Sequence, residues 1–584
     1  MALIGPSLTG RIVGATARRR YTSLIDKGAT SHKFGPQLSH SDFMRRNFPA
    51  LGASVFDVAI IGGGITGACI ARDAARRGLS VALVEKRDFS CGTSAGSSKL
   101  VHGGLRYLRT FEFGLIRESL RERRVWEKIA PHMVYPLLFV LPVRSAAETW
   151  FVGAGLTVYD LLAFDRNRLD DPDQHMAGHR AISKAEALAM EPLLEGKDLA
   201  GALLYYDCQM HSPERLGLEC LIDAVAHGAV VANYAEAAGF EKTKGAVGAV
   251  RVRDGLNGDE TVLKARVVVN AAGPWADRLL ELVEGAAASH KLIRSKGIHL
   301  VTDARTKGHA LTISHKSGHF FVLPWRDHTI FGTTDSVFIG KPDDLHVTGE
   351  DIEGFIAFMN DGLPQLKLKR EDVRYAYAGL RPLVDDGSRN SYSASRRAEI
   401  VDHGAEGGPA NLISAIGGKW TTSRDIAEKC VDLVGRKLGA GTACDTADAP
   451  LPGATGRFKS FLEKALTEHR DVAPSIMANA ARNYGARAKE VFDLTRDNPQ
   501  MLRPISQYLP DIAAQVAFAV RSEMAMTLDD VLFRRTGLGT LGPLEPRAVE
   551  DAAAIMASEL GWSEAERARQ IGSIAWRYKP LVRA

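Results

Sequence analysis

Cysteine is scarce in this chain. Its 584 residues hold six, Cys69, Cys91, Cys208, Cys220, Cys430 and Cys444, scattered and with no CxxC spacing. That excludes a disulfide framework, argues against zinc and iron–sulfur centres, so that no metal is expected, and fits a reducing compartment. Long apolar runs are also missing, and none approaches the roughly 20 residues of a spanning helix. The nearest stretch, Trp150 to Tyr159, is interrupted by Gly153 and Gly155 and reads as core ahead of an interfacial segment. Charge of one sign is barely in excess, with 74 Lys and Arg against 69 Asp and Glu, a net of +5. The first 54 residues carry more than all of that excess, with eight cations (Arg11, Arg18, Arg19, Arg20, Lys27, Lys33, Arg45, Arg46) against Asp26 and Asp42. The remaining body is nearly balanced and shows no nucleic-acid footprint. With 45% apolar residues there is material for a large core, which excludes global disorder.

Residues 1–54 show no sustained periodicity and read as a basic, disordered extension: a targeting presequence, a bacterial tail, or a start placed upstream of Met44. Order is expected from Val55. Val55–Ile61 has the pattern of a buried strand, Gly62-Gly63-Gly64-Ile65-Thr66-Gly67 a turn, the stretch to Gly78 a helix, and Leu79–Val84 a second strand closed by Glu85. Strand, glycine turn, helix and strand make a βαβ unit and imply a parallel sheet. From about residue 200 to 400 short alternating strands predict a mixed sheet inserted between pieces of the first domain. Ala449-Pro450-Leu451-Pro452-Gly453 marks a linker, and residues 455–584 are helical in pattern.

The Gly62-x-Gly64-x-x-Gly67 spacing lets backbone approach a pyrophosphate at a helix N-terminus, where free N–H groups favour anions. Glu85 stands where a carboxylate can accept from ribose hydroxyls. The unit alone leaves FAD and NAD both open. The segment Cys91 to Leu108 is denser in chemistry. Its Ser, Thr and Gly residues suit close approach to a planar ring, His102 suits proton transfer, and Arg106 suits a phosphate or carboxylate. His315 and His319 flank Ser317-Gly318, which predicts a hairpin turn, so no metal site is expected there. The alternating charges of Arg117 to Lys128 predict the solvated face of a helix.

These segments, with Asn270-Ala271-Ala272-Gly273-Pro274-Trp275, Lys296-Gly297-Ile298-His299, Gly332-Thr333-Thr334-Asp335, Gly379-Leu380-Arg381-Pro382-Leu383, Gly417-Gly418-Lys419-Trp420-Thr421-Thr422 and Asp529 to Thr536, resemble the FAD-dependent glycerol-3-phosphate dehydrogenases and their oxygen-using relatives. The resemblance covers about residues 55–540, with the motifs in family order. It implies an α/β fold: a Rossmann-like FAD-binding domain, an inserted mixed β-sheet substrate domain of D-amino-acid-oxidase type, and a helical C-terminal domain. FAD-binding pieces are expected at about 55–130, 215–285 and 395–448, with a linker at 449–454. Carried over by position, Gly62, Gly64, Gly67, Glu85, Thr93, Ser94, Ser97, Ser98 and Lys99 would line FAD, with Gly418 and Thr421 approaching from a later helix start. His102, Arg381 and Lys419 would stand at the reacting carbon. Arg106, Tyr107, His299 and Thr334 would hold the substrate, His299 also serving as reserve base.

The implied reaction oxidises sn-glycerol 3-phosphate to dihydroxyacetone phosphate, with hydride passing to the flavin and electrons to a membrane quinone. It implies a peripheral enzyme on the cytoplasmic face of a bacterial inner membrane, or on the mitochondrial inner membrane if the extension is a presequence, with a homodimer as an open expectation. Rival readings are an oxidase using oxygen, a dehydrogenase of another polyol phosphate, an NAD enzyme, and a non-catalytic flavin-binding regulator. Two positions depart from the family: Ser212-Pro213 stands where an acidic pair is usual, and Trp420 replaces an aliphatic residue. The C-terminal region holds no EF-hand loop, which favours the bacterial branch.

Overall fold

The computed structural model describes residues 44–584 apart from 197, 286–289, 316–317, 385–397 and 583–584. Most of the basic extension and Ser317 therefore lie outside the described residues. Two sheets and a helical region build the molecule. In the first sheet, β1 (Val55–Ile61) lies between β2 (Val81–Val84) and the strand Glu260–Asn270, all parallel. Val230–Ala232 and Leu412–Gly417 extend it in parallel on either side, and Ala398–Asp402 closes one edge antiparallel. β1 and β2 are buried almost throughout, as strands covered on both faces must be. The helix α1 (Ile65–Arg76) covers one face, packed between the helices Pro213–Ala226 and Ser423–Leu438.

The second sheet has ten strands and is mixed. Its longest pairing joins Leu292–Asp303 to Val373–Val384 antiparallel, setting Ser295 opposite Arg381 and His299 opposite Tyr377. Val134–Val143 and Gly201–Met210 form its other half. Helices from Phe458 to Tyr578 make the C-terminal region. His315 and Gly318 pair across the expected hairpin.

Four expectations need correction. The fold starts before Val55: Met44 is buried and bridges to Glu523, Phe48–Gly52 forms a short 3-10 helix with Phe48 and Leu51 buried, and Arg46 pairs with Asp254 at 2.8 Å. Trp150–Tyr159 is core on one side only, through Leu156 and Tyr159. It lies in the helix Ala146–Leu162, where Trp150 and Phe151 are 82% and 79% exposed. The charged run 117–128 is not simply a solvated face, because Glu122, Arg123 and Glu127 of the helix Phe113–Ile129 are buried. Finally, the 449–454 stretch is packed rather than loose, since Arg72 donates to the Ala449 carbonyl at 2.7 Å and Leu451 is buried.

The C-terminal region is tied to the first sheet by buried ions. Asp88, just beyond β2, accepts from Arg534 at 2.6 Å and from Arg535 at 2.7 and 2.9 Å. Arg215 pairs with Glu523 at 2.8 Å, both fully buried. The two arginines outweigh the burial of Asp88 and hold its carboxyl at about 2, below the usual 3.8. A carboxyl with a lowered folded-state pKa stabilises above its ordinary pKa and loses that contribution as pH falls through the folded value. Asp88→Asn should therefore cost about 3–5 kcal/mol at neutral pH, measured by chemical denaturation. The gap between wild type and variant should narrow below about pH 4.

Candidate active site

The glycine turn after β1 is shaped by two close approaches. Gly62 has φ +112°, and a Cβ there would meet the Ala271 carbonyl oxygen at 2.5 Å. A Cβ on Gly67 would sit 1.9 Å from the Gly62 carbonyl oxygen, so α1 starts flush against the turn. Gly67 thus serves packing and does not line the cavity, unlike Gly62 and Gly64. No side chain of the N-cap residue Gly64 closes α1; instead Ser94 Oγ accepts from Ile65 N at 2.9 Å. Glu85 accepts from Gly63 N at 2.8 Å and from Arg87 N at 2.9 Å, which fixes its carboxylate at the cavity wall. Burial raises its pKa.

The segment after Cys91 runs from this turn to the second sheet. Thr93 Oγ1 donates to the Leu380 carbonyl at 2.6 Å. Gly96 then crosses Gly379 so closely that a Cβ on Gly379 would be 2.2 Å from the Gly96 carbonyl oxygen. Ser97 accepts from Lys99 N through Oγ at 3.3 Å and from Tyr377 OH through its carbonyl at 2.9 Å. Ser98 Oγ lies 2.9 Å from His299 Nε2. Lys99 corrects the expectation. It does not line this cavity, because its buried ammonium turns to Glu214 at 3.0 Å and lies over the rings of Trp325 and Tyr377.

A single cavity of about 1730 Å³ joins these segments. That exceeds the ~300–1,000 Å³ usual for one small ligand and suits a dinucleotide with a substrate beside it. Its wall includes Thr93, Ser94, Ser97, Ser98, Gly418 and Thr421, together with His102, Arg106, Tyr107, His299, Thr334, Arg381 and Lys419. Arg381 is aimed by Ser295 Oγ at 3.0 Å, Thr333 Oγ1 at 2.9 Å and the Thr334 carbonyl at 3.3 Å. Gly297 makes room for it, since a Cβ there would meet Arg381 Nη2 at 2.4 Å. The Thr334 hydroxyl is occupied structurally, accepting from Ile298 N at 3.0 Å. Tyr107 lies between the Arg106 guanidinium, 5.0 Å from its ring, and the Lys419 ammonium at 4.7 Å. Lys419 also donates to Ser119 Oγ.

The two histidines differ. The backbone of His102 is clasped by Thr421, whose Oγ1 accepts from His102 N at 3.2 Å, and Trp126 holds the Thr421 carbonyl at 3.0 Å. His299 is 1% exposed and stacks on Tyr377 at 4.8 Å. Burial, with Arg381 and Lys99 nearby, drives its pKa well below the usual 6.5, so it is a poor base at neutral pH.

Several positioning residues were not foreseen. Asp207 accepts from Gly103 N at 3.1 Å, from Arg123 at 2.7 Å and from Tyr159 OH at 2.8 Å, pinning the loop that carries His102. Glu127 lies in the same buried cluster, where desolvation pushes its carboxyl up to about 7. Their signal was buried charge on a helix, which looks like surface patterning until its partner strand is known. The departing residues have structural explanations: Ser212 caps the helix Pro213–Ala226 through Arg215 N at 3.2 Å, and Trp420 packs on Trp126 at 5.0 Å. Neither Ser212 nor Pro213 lines the cavity.

A parallel sheet with a glycine turn at a helix start, a second mixed sheet and a cation-lined cavity between them define a flavin-dependent oxidoreductase. The family model for FAD dependent oxidoreductases matches residues 57–424, and that for the C-terminal domain of alpha-glycerophosphate oxidase matches 444–567. A glycerol-3-phosphate dehydrogenase of Synechocystis sp. is 36% identical over 544 residues, covering 90% of this chain and 97% of its own. The FAD complex of the glycerol-3-phosphate dehydrogenase from Bacillus halodurans superposes with a TM-score of 0.74 at 29% identity, covering 92% of this chain and 97% of that one. A D-erythritol 1-phosphate dehydrogenase of Brucella abortus is 33% identical over 82% of this chain and 94% of its own. The chain belongs to the FAD-dependent glycerol-3-phosphate dehydrogenase family, and FAD is its cofactor.

The Gly96–Gly379 crossing is testable. Overpacking typically costs about 1–3 kcal/mol, and no rotamer can move a Cβ away from a backbone oxygen. Gly379→Ala should lower the melting temperature and the FAD content of purified protein together. Unchanged flavin absorbance at full activity would show that the crossing yields freely.

Proposed function

We propose that this enzyme oxidises sn-glycerol 3-phosphate to dihydroxyacetone phosphate and delivers the electrons to a membrane quinone. The observation that carries the reading is that His102, Arg106, Arg381 and Lys419 all line the same cavity as the segments expected to hold FAD. Bound FAD supplies the hydride acceptor. His102 takes the proton of the substrate hydroxyl, while Arg381 and Lys419 steady the alkoxide charge that develops as it leaves. Arg106 faces the phosphate, whose dianion suits a guanidinium. His299 orients Ser98 and leaves the proton chemistry to His102. Asp207 accepts from Gly103 N and Thr421 from His102 N, so the loop that carries the base is held in place before it meets the hydroxyl proton.

The quinone reading is supported by the apolar rim of the same cavity. Phe111, Phe113, Phe151, Val152 and Val158 line it, and Trp150, Phe151, Leu161 and Phe164 are exposed beside it. A cluster of this kind marks an interaction surface, and a lipid-soluble acceptor would reach the cavity from that side. Among the described residues no helix is long and apolar enough to cross a membrane, so contact would be peripheral. The similarity to an erythritol phosphate dehydrogenase keeps a longer polyol phosphate as second reading.

Purified enzyme should reduce a soluble quinone analogue with glycerol 3-phosphate and fail with free glycerol. Faster turnover with erythritol phosphate would favour the second reading, and stoichiometric hydrogen peroxide would favour an oxidase. Arg381→Ala should lower kcat/KM by about 100-fold or more, the scale of losing one electrostatic donor, while retaining most of its flavin. Equal loss of both would make Arg381 structural. Replacing Trp150 and Leu161, which are exposed and do not line the cavity, by Ser should reduce co-flotation with anionic liposomes and leave turnover with the soluble acceptor near wild type.

A further inference from the structure

Away from the cavity, at the edge of the first sheet, four potential ligands gather from three segments. Ligand atoms of His290, His403 and Glu406 lie within 4.8 Å of one another. His290 Nε2 is 3.6 Å from Glu406 Oε2, and His403 Nδ1 is 3.3 Å from Glu284 Oε1. We propose that His290, His403 and Glu406, with Glu284 as the fourth group, bind a divalent transition-metal ion of the zinc class.

The distances are of the right size. Bonds of about 2.0–2.1 Å in a tetrahedral zinc site place neighbouring ligand atoms roughly 3.4 Å apart. Two of the pairs already stand close to that edge length. The three ligand atoms of His290, His403 and Glu406 all lie within 4.8 Å of one another, and the Glu406 side chain is 51% exposed. The donor set is also balanced, since two imidazoles and two carboxylates neutralise a 2+ ion. Asp402, the next acid along, is occupied by Lys437 at 2.6 Å.

His403 is held as metal-binding histidines are held. It is 1% exposed, and its Nε2 lies 2.8 Å from Ser414 Oγ, which in turn accepts from Asn270 Nδ2 at 3.3 Å. A partner on one ring nitrogen fixes the ring and leaves the other, Nδ1, to face the ion.

The site lies where an ion would clamp the sheet. Glu284 ends the helix Ala276–Glu284, and His403–Glu406 forms the turn between Ala398–Asp402 and Leu412–Gly417. The last of these strands runs directly into Gly418 and Lys419 of the active site. None of the four proposed ligands lines the cavity, so the ion acts on the sheet and not on the substrate. The pair with helix-like sequence spacing holds no such set: His315 instead pairs with Asp361 at 2.6 Å beside a hairpin turn.

Flavin-loaded protein, stripped of metal, should take up one equivalent of zinc sulfate by calorimetry and melt at a higher temperature with it. Cobalt chloride should give the intense visible bands of a tetrahedral site. His290→Ala and Glu406→Gln, both on the exposed side, should weaken zinc binding on the order of 10–100-fold and abolish the melting shift, with turnover unchanged. Zinc uptake of equal affinity in the double variant would place the ion at the cysteines and overturn the proposal. Absence of uptake by wild-type protein at micromolar zinc would overturn it as well.

Discussion

The chemistry of this enzyme depends on one place where two backbones touch. Gly96, on the loop leaving the parallel sheet, lies against Gly379 of the mixed sheet with no room for a Cβ on either residue. On one side of the contact Ser98 reaches His299, and on the other Thr93 reaches the carbonyl of Leu380, next to Arg381. The residues meant for the dinucleotide and those meant for the substrate therefore share one wall. A side chain of even one carbon at the contact would wedge the sheets apart and widen the gap that hydride transfer must cross. The two glycines are thus a distance constraint between cofactor and substrate halves, written in what they lack.

Around that contact, rigidity comes from buried, hydrogen-bonded charge. Asp207 is the clearest case, a carboxylate of 3% exposure that accepts from Arg123, Tyr159 and the backbone of Gly103. Burying such groups is costly unless all their lone pairs find partners. Once satisfied, the arrangement is stiff, because any displacement strands a charge in low dielectric. Asp88 plays the corresponding part between the sheet and the C-terminal region, held by two arginines from the Asp529–Thr536 motif. The motif thus reads as a clasp on the segment that leads into the Cys91 loop. The C-terminal helices reach the active site through that clasp and line none of its cavity.

Much of this was legible in the sequence, and the pattern of what was not is physical. The βαβ unit was readable because its signals are local: a buried strand, glycines at a tight turn, a carboxylate at the next strand's end. Cavity residues were readable where they sit in dense motifs, and His102, Arg106, Arg381 and Lys419 all line one cavity. Arg123 and Glu127 were misread as surface because alternating charge on a helix looks the same whether it meets water or Asp207. Lys99 was misassigned because its motif is right while its side chain turns through the loop to Glu214. Trp150 and Phe151 were assigned to core on hydrophobicity alone, which cannot tell an apolar face that packs on protein from one left outside.

Part of that exposed face and the cationic residues line the same cavity. A phosphorylated substrate is drawn by local cations that the overall charge of +5 does not report, since the first 54 residues carry more than all of that surplus. An apolar acceptor has no use for those cations and meets instead the aromatic rim of Phe111, Phe113 and Phe151. The wall of one cavity thus carries both cationic and apolar side chains. Exposed apolar surface of this kind marks an interaction face, and the helix Ala146–Leu162, with its outward Trp150 and Phe151, is the face from which the membrane acceptor proposed above would approach.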